Sequence, residues 1–229
     1  MTRWGRTVVG WLDLQGDERV LDAGCGTGRV TAILLERLPD GHVIGVDGSP
    51  SMIDQAHVRL GSDPRVELMV ADLTSPLPIV EPVDAILSTA TFHWILDHDP
   101  LFANLAAVLR PGGQLAAQCG GSGNIASIEA ALRALGEDFA GRKHYATPEA
   151  TEVRLVAAGF TEVETWLHDE PTELAPEDVE PYLATICLGD HVESMPDDER
   201  ARFVHEVAIR LPGPLIDYVR LNIRARRAG

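Results

Sequence analysis

The segment Val20-Leu21-Asp22-Ala23-Gly24-Cys25-Gly26-Thr27-Gly28 carries an apolar strand pattern straight into a glycine-rich turn and then a helical pattern. That is the setting of a nucleotide-binding turn, where a side chain at Gly24, Gly26 or Gly28 obstructs either the bend or the approach of a ligand to the backbone. A second apolar run, Val43-Ile44-Gly45-Val46, ends in Asp47. A carboxylate at the end of the second strand of a doubly wound sheet offers its two oxygens to the two hydroxyls of a ribose. A further acid, Asp72, closes the run Leu68-Met69-Val70-Ala71. There it is placed to accept a hydrogen bond from an exocyclic adenine amine, with Leu73 and Met52 covering the ring faces. Arg29 stands where a dinucleotide fingerprint wants its third glycine, and Asp22 precedes the first glycine. Both departures point away from a dinucleotide, and no pyrophosphate site is implied.

Groups so spaced along the chain meet only if strands bring them to one edge of a sheet. The apolar periodicity predicts a helical segment around Trp4 to Leu14 and strands near 19–23, 42–46, 65–70, 83–88 and 113–118, with helices between them. Ser49-Pro50 and Asp99-Pro100 mark helix starts, because proline suits the first helical turn. The alternation predicts an α/β fold, a doubly wound, mostly parallel sheet covered on both faces. Ligands of such sheets sit beyond the carboxyl ends of the strands, where Gly24, Asp47, Asp72 and Ser88 converge.

In the second half, Thr147-Pro148-Glu149 starts a helix running to Gly159, and 161–168 reads as a strand. Helices are predicted over 176–188 and 196–211, followed by a last strand over 215–224. The expected organisation is one domain over 1–229, with a cofactor-binding half (1–120) and a cap and substrate half (121–229). The helical insertion 175–211 before the last of seven strands is expected to form a lid over the cleft. In the last strand Val219, Leu221 and Ile223 share one face, and Tyr218, Arg220, Asn222 and Arg224 the other. The polar face reads as an exposed sheet edge guarded by arginines, with a substrate contact as the other reading.

With these pieces in place, the chain resembles the class I methyltransferases that use S-adenosylmethionine. The resemblance rests on Leu21 to Gly28, Val46-Asp47-Gly48-Ser49-Pro50-Ser51-Met52-Ile53, Ala71-Asp72-Leu73 and Leu109-Arg110-Pro111-Gly112-Gly113-Gln114-Leu115, in that order. It implies a Rossmann-like methyltransferase fold and a cofactor site formed by Asp22, Gly24, Cys25, Gly26, Gly28, Asp47, Gly48, Met52, Asp72, Leu73 and Ser88. A shorter segment, Thr91-Phe92-His93-Trp94-Ile95-Leu96-Asp97-His98, is similar to the branch containing trans-aconitate and malonyl-carrier-protein methyltransferases. That likeness implies methylation of a carboxylate. The superfamily also methylates hydroxyl and amine groups, including those of natural products, and a cofactor-binding module without turnover is an alternative of another class.

Composition narrows the partners. The chain has 229 residues, 45% of them hydrophobic, enough for one good core. No stretch reads as a membrane helix or a signal peptide, so a cytoplasmic protein is expected. The formal charge of −16 repels a phosphate backbone, which argues against nucleic acid. Cys25, Cys119 and Cys187 show no short metal-type spacing, so no metal site is expected. Oligomeric state is not legible.

A methyl group on a sulfonium is already activated, so the protein must mainly hold a nucleophile in line and exclude water. A carboxylate is ionised at neutral pH and needs hydrogen-bonding or cationic groups to orient it, whereas a hydroxyl benefits from a base. His93 and Trp94, just past the fourth strand, are the candidate active-site residues. His93 either donates to a carboxylate or serves as the base, and the bland reading gives both residues to loop packing. Arg142-Lys143-His144-Tyr145 is a basic cluster in an acidic chain, so Arg142, His144 and Tyr145 are candidate substrate residues, with a solvated loop as the simpler account. Trp4 and Trp11 on the first helix stand to close over the cofactor, as that helix does in similar methyltransferases, or to pack against the sheet.

Overall fold

Alternation decides how the central strands are buried. Val20, Val43, Ala85, Leu87 and Ala116 belong to one apolar cluster, while their neighbours Leu21, Ile44, Ile86, Leu115 and Ala117 belong to another. Successive strand residues point to opposite faces, so a strand apolar at every position requires cover on both. The computed structural model describes residues 2–137, 143–193 and 195–229. Arg142 lies outside the described residues.

In chain order the elements are α1 (Thr2–Val9), β1 (Arg19–Ala23), α2 (Arg29–Leu35), β2 (His42–Asp47), α3 (Pro50–Leu60), β3 (Val66–Val70), β4 (Val83–Thr89), α4 (His98–Val108) and β5 (Leu109–Gly120). There follow α5 (Ala126–Ala134), α6 (Pro148–Ala157), β6 (Phe160–Asp169), β7 (Thr172–Glu173), α7 (Val179–Tyr182), α8 (Gly189–Val192), α9 (Asp197–Ala208), β8 (Leu215–Ile216) and β9 (Val219–Arg227). The chain divides into two compact units. Met1–Ser122, Arg142–His168 and Arg220–Gly229 form the first, and Gly123–Gly141 with Asp169–Val219 the second.

The first unit carries a seven-stranded sheet in the order β3-β2-β1-β4-β5-β9-β6. The ladders β3–β2, β2–β1, β1–β4 and β4–β5 are parallel, and β9 runs antiparallel to β5. The order reverses direction at β1, so the ends of β1, β2 and β4 open onto the crevice where such sheets bind ligands. The second unit holds α5, the two-stranded sheet β7–β8 and the helical stretch from residue 176 to α9. In that stretch a 3-10 turn (Pro176–Asp178), α7 and a π-helical turn (Leu183–Cys187) follow without a break, so the expected single helix is present in pieces.

Several expectations are corrected. The first helix ends at Val9, with Gly10 next, and not near Leu14. Residues 71–82 form no helix, since Pro76, Pro78 and Pro82 remove donors along the crossover, which Leu73 and Leu77 anchor in the core. Helix α4 starts at His98, one turn-residue earlier than Asp99-Pro100 implied, because the Asp97 carboxylate accepts the Asp99 N–H at 3.0 Å. The final strand breaks at Asp217-Tyr218. There the Asp217 carboxylate accepts from Ser127 N at 2.9 Å and Ser127 Oγ at 2.6 Å, holding the start of α5.

The correction of most consequence concerns β9. It lies between β5 and β6 and is no edge, and its polar face is buried, with Arg220 at 5% and Asn222 at 0% exposure. Only Arg224 fits the solvent-facing reading.

Candidate active site

Beyond the end of β1 the chain turns with Gly24 N and Cys25 N both donating to Val46 O, at 2.7 and 2.9 Å. The glycines of this turn serve different ends. A Cβ on Gly24 would lie 2.0 Å from Thr91 Oγ1, and one on Gly28 would lie 2.7 Å from Leu60 Cδ1, so both are needed for close packing. Gly26 has φ +54 and open space around its Cβ direction. It is the glycine whose backbone faces room for a ligand. Gly26→Ala is therefore expected to leave the unfolding temperature within a few degrees of wild type and to abolish cofactor binding. Gly24→Ala should unfold much earlier, by roughly 10 °C or more, from steric overlap and a strained backbone. Thermal unfolding beside a binding titration separates the two roles.

Asp47 holds the loop and the next helix together. Its Oδ2 accepts from Gly26 N at 2.9 Å and its Oδ1 from Ser49 N at 2.9 Å. One bond per oxygen leaves each oxygen with a further lone pair for a ribose hydroxyl. Asp72 accepts from both Thr74 N and Thr74 Oγ1 through Oδ1 alone, at 2.8 Å each, and is exposed. Gly48 is exposed beside it, Met52 is 38% exposed, and Leu73 is almost wholly buried beneath. These residues fit an adenosyl group, with acceptors for ribose hydroxyls and an amine and apolar atoms for the ring.

Three of the residues implied by the resemblance lie below the loop and not on its open face. Asp22 is fully buried, with Oδ2 accepting from Thr31 Oγ1 at 2.6 Å and Oδ1 buried without a hydrogen-bond partner among the described residues. Ser88, also buried, donates to Ala23 O at 2.6 Å and so ties β4 to β1. Cys25 turns its thiol toward Gly45, and burial pushes that thiol's pKa up, so it stays protonated and contributes backbone geometry only. For these, the spacing does not say which side of the loop each side chain takes.

Burial raises the pKa of Asp22 to about 6, with the charge of Asp47 adding to the effect and the Thr31 bond opposing it. A raised folded-state value means that the folded chain holds this proton more tightly than the unfolded one. Its stabilising effect is complete below pH 3.8 and is lost as the pH climbs through 6. Asp22→Asn, which keeps the acceptor for Thr31, should therefore be more stable than wild type at pH 7.5, by on the order of 2 kcal/mol, and that advantage should vanish near pH 4. Urea unfolding of both proteins at the two pH values measures it.

Past β4, a 3-10 turn (Phe92–Trp94) presents His93. The turn is pinned from several sides. Phe92 is buried edge-on to Phe102, His98 Nε2 donates to Phe92 O at 2.9 Å, and His144 N donates to His93 O at 2.8 Å. His93 is 9% exposed, and its Nδ1 accepts from Gly120 N at 3.3 Å, so the ring proton sits on Nε2. Burial, then the charges of Lys143, Arg220 and His98, lower its pKa to about 3. The imidazole is thus neutral and a donor at every physiological pH. It has no free lone pair with which to act as a base.

The basic segment after residue 142 packs on this turn. Tyr145 stacks on His93 at 5.9 Å between centroids, Lys143 Nζ sits 4.4 Å over the Trp94 ring, and His144 donates from Nδ1 to Leu96 O at 2.9 Å while stacking on His98. Tyr145 and Trp94, the latter 46% exposed, therefore flank His93, whereas His144 is committed to holding the turn. The two tryptophans of the N-terminal segment part company. Trp11 packs against Trp166 at 5.3 Å, which is the packing reading, and Trp4 lies under the guanidinium of Arg220 at 3.7 Å. Gln118 was not singled out in the sequence, and Arg220 and Asn222 were placed on a polar face read first as an exposed edge. The polar face of the last strand was the available signal, misread because the position of β9 inside the sheet was not legible.

Residues 20–113 match a family described as a methyltransferase domain. Over 117 residues the chain is 43% identical to trans-aconitate 2-methyltransferase of Azoarcus sp., covering 51% of this chain and 45% of that protein. The enzyme of the same name from Methylobacterium nodulans is 34% identical over 167 residues, 72% of this chain and 62% of the relative. The matches therefore span between about half and two thirds of those relatives. Among solved structures, the YcgJ protein of Bacillus subtilis superposes over 100% of both chains with a TM-score of 0.73 at 15% identity, a likeness of fold. No helix among the described residues is long and apolar enough to cross a membrane.

Proposed function

We propose that this chain, whose residues 20–113 belong to a methyltransferase-domain family, is an S-adenosylmethionine-dependent methyltransferase acting on a carboxylate oxygen of a small acceptor. The observation that carries the choice of acceptor is the state of His93, whose Nδ1 is taken by Gly120 N and whose proton is on Nε2. A locked donor suits a nucleophile that is already ionised, and a hydroxyl acceptor would need the base that His93 is not.

The cofactor supplies a methyl group activated by a sulfonium. The chain's own residues do the rest. Gly26 lets the loop backbone approach the cofactor, Asp47 and Asp72 accept from its ribose and adenine, and Met52 and Leu73 supply apolar contact to the ring. His93 Nε2–H holds one acceptor oxygen so that the other is free to attack, and Tyr145 and Trp94 exclude water around it. The relatives' printed name, trans-aconitate 2-methyltransferase, supports an acid of that kind as the first acceptor to try. The net charge of −16 supports a small acceptor over a nucleic acid. The family match ends at residue 113, and we assign acceptor choice to the chain beyond it.

Calorimetric titration with S-adenosylmethionine, S-adenosylhomocysteine and the nicotinamide dinucleotides, followed by a methyl-transfer screen of carboxylic acids, phenols and amines, tests the reading. Binding of the adenosyl pair alone and turnover confined to carboxylic acids is the expected outcome. Binding of a dinucleotide, or turnover confined to phenols or amines, would refute it.

A further inference from the structure

His98 is the first residue of α4 and is 2% exposed. Its Nε2 donates to Phe92 O at 2.9 Å, and its ring stacks on His144 at 4.6 Å between centroids and meets Phe102 edge-on at 5.5 Å. His144 in turn donates from its backbone N to His93 O at 2.8 Å. Two stacked histidines from distant parts of the chain therefore grip consecutive carbonyls of the turn that presents His93. Burial lowers the pKa of His98, the bond to Phe92 O opposes that, and the charges of His144 and Arg154 add to it. A helix N-terminus also disfavours a cation, so the ring is neutral and has one proton. That proton is spent on Phe92 O, which leaves Nδ1 a buried acceptor with no hydrogen-bond partner among the described residues. A phenylalanine would fill the same space without burying an unmet acceptor. What it would not supply is the bond to Phe92 O.

We propose that His98 is a positioning residue for methyl transfer, holding the backbone of the Phe92–Trp94 turn so that His93 Nε2–H meets the acceptor oxygen in the right place. This rests on the reading of His93 as the donor to a carboxylate. Phe92 O belongs to the peptide group that leads into His93, and His93 O to the one that leaves it. The turn's own bonds are few, Trp94 N to Thr91 O at 2.9 Å and Ile95 N to Phe92 O at 3.0 Å, and so short a 3-10 turn is weak alone. Rotation of the peptide before His93 swings the imidazole at its end, and a displacement of about 1 Å at the reacting groups costs on the order of 100-fold in rate.

The test uses the full chain, labelled S-adenosylmethionine and the carboxylic acid that wild type methylates fastest, with His98→Phe and His98→Gln made alone and together with His93→Ala. His98→Phe should lower kcat by about 10- to 100-fold, with KM for the acid and the calorimetric affinity for S-adenosylhomocysteine within threefold of wild type. His98→Gln, whose amide nitrogen reaches the place of Nε2, should recover most of the loss. On top of His93→Ala, His98→Phe should cost less than a further twofold, because a residue that acts through His93 then has nothing left to position. If His98→Phe does not fold, His98→Leu carries the same comparison. An unaltered kcat for His98→Phe, or an equal loss with and without His93, would overturn the proposal alone and leave His98 as packing. Full activity in His93→Ala, or a wild-type enzyme that methylates only phenols or amines, would overturn it together with the reading it rests on.

Discussion

Asp47→Ala is expected to weaken S-adenosylmethionine binding by on the order of 100- to 1000-fold, read by calorimetry, with a smaller loss for Asp47→Asn. Two effects add. The ribose hydroxyls lose charge-assisted acceptors, each worth about 1.5–3 kcal/mol. The N–H of Gly26 and of Ser49, held at 2.9 Å by the two oxygens of Asp47, also lose the partner that fixes the loop before the ligand arrives. Asparagine keeps one acceptor but presents an amine where the other stood, so one loop bond survives and one ribose bond is lost. Affinity within threefold of wild type for Asp47→Ala would remove this residue from the binding site.

The second large effect belongs to His93. His93→Ala should lower kcat on the order of 100-fold with cofactor affinity intact, and His93→Gln, which retains a donor, should recover a good part of that loss. Because the pKa lies near 3, kcat should be flat between about pH 5.5 and 8.5, where His93 is neutral and a carboxylate acceptor ionised. A kcat profile rising through pH 6.5 would mean that a base titrates in the active complex and that His93 is not the locked donor. The same group shapes stability. Its folded value lies below the ordinary 6.5, so the unfolded chain takes up a proton that the folded chain refuses, and stability falls as the pH drops below 6.5 toward 3. Between pH 7.5 and 5 wild type should lose on the order of 2 kcal/mol more than His93→Gln in urea unfolding.

The parts of the site that depend on local chain geometry were legible in the sequence. Gly26, Asp47 and Asp72 each stand at the end of an apolar run, and strand ends in a parallel sheet are forced to one edge, so their convergence follows from periodicity alone. The side taken by Asp22, Ser88 and Cys25 was not legible, because whether a residue next to a sharp turn points at the ligand or under the loop depends on φ at its neighbours. Trp11 was left between closing over the cofactor and packing for a related reason, since its partner Trp166 lies far away in sequence and an aromatic on a first helix has many surfaces to choose from. Arg220 shows the limit most plainly. Alternation placed it correctly on a polar face, yet an edge strand and a strand inserted between β5 and β6 have the same pattern when one face is polar. Only the strand order turns a solvent-facing arginine into a buried cation.

The chain carries out methyl transfer to a carboxylate oxygen on this account, and the product is therefore a methyl ester. Incubating the protein with S-adenosylmethionine labelled in its methyl group and with trans-aconitate and other polycarboxylic acids, then treating the product with mild base, measures this directly. Label transferred to the acid and released by base as methanol, with the acceptor regenerated, is the predicted result. Label that survives base on an ether, amine or carbon position, or label that never leaves the cofactor for any acid while phenols or amines accept it, would contradict the account.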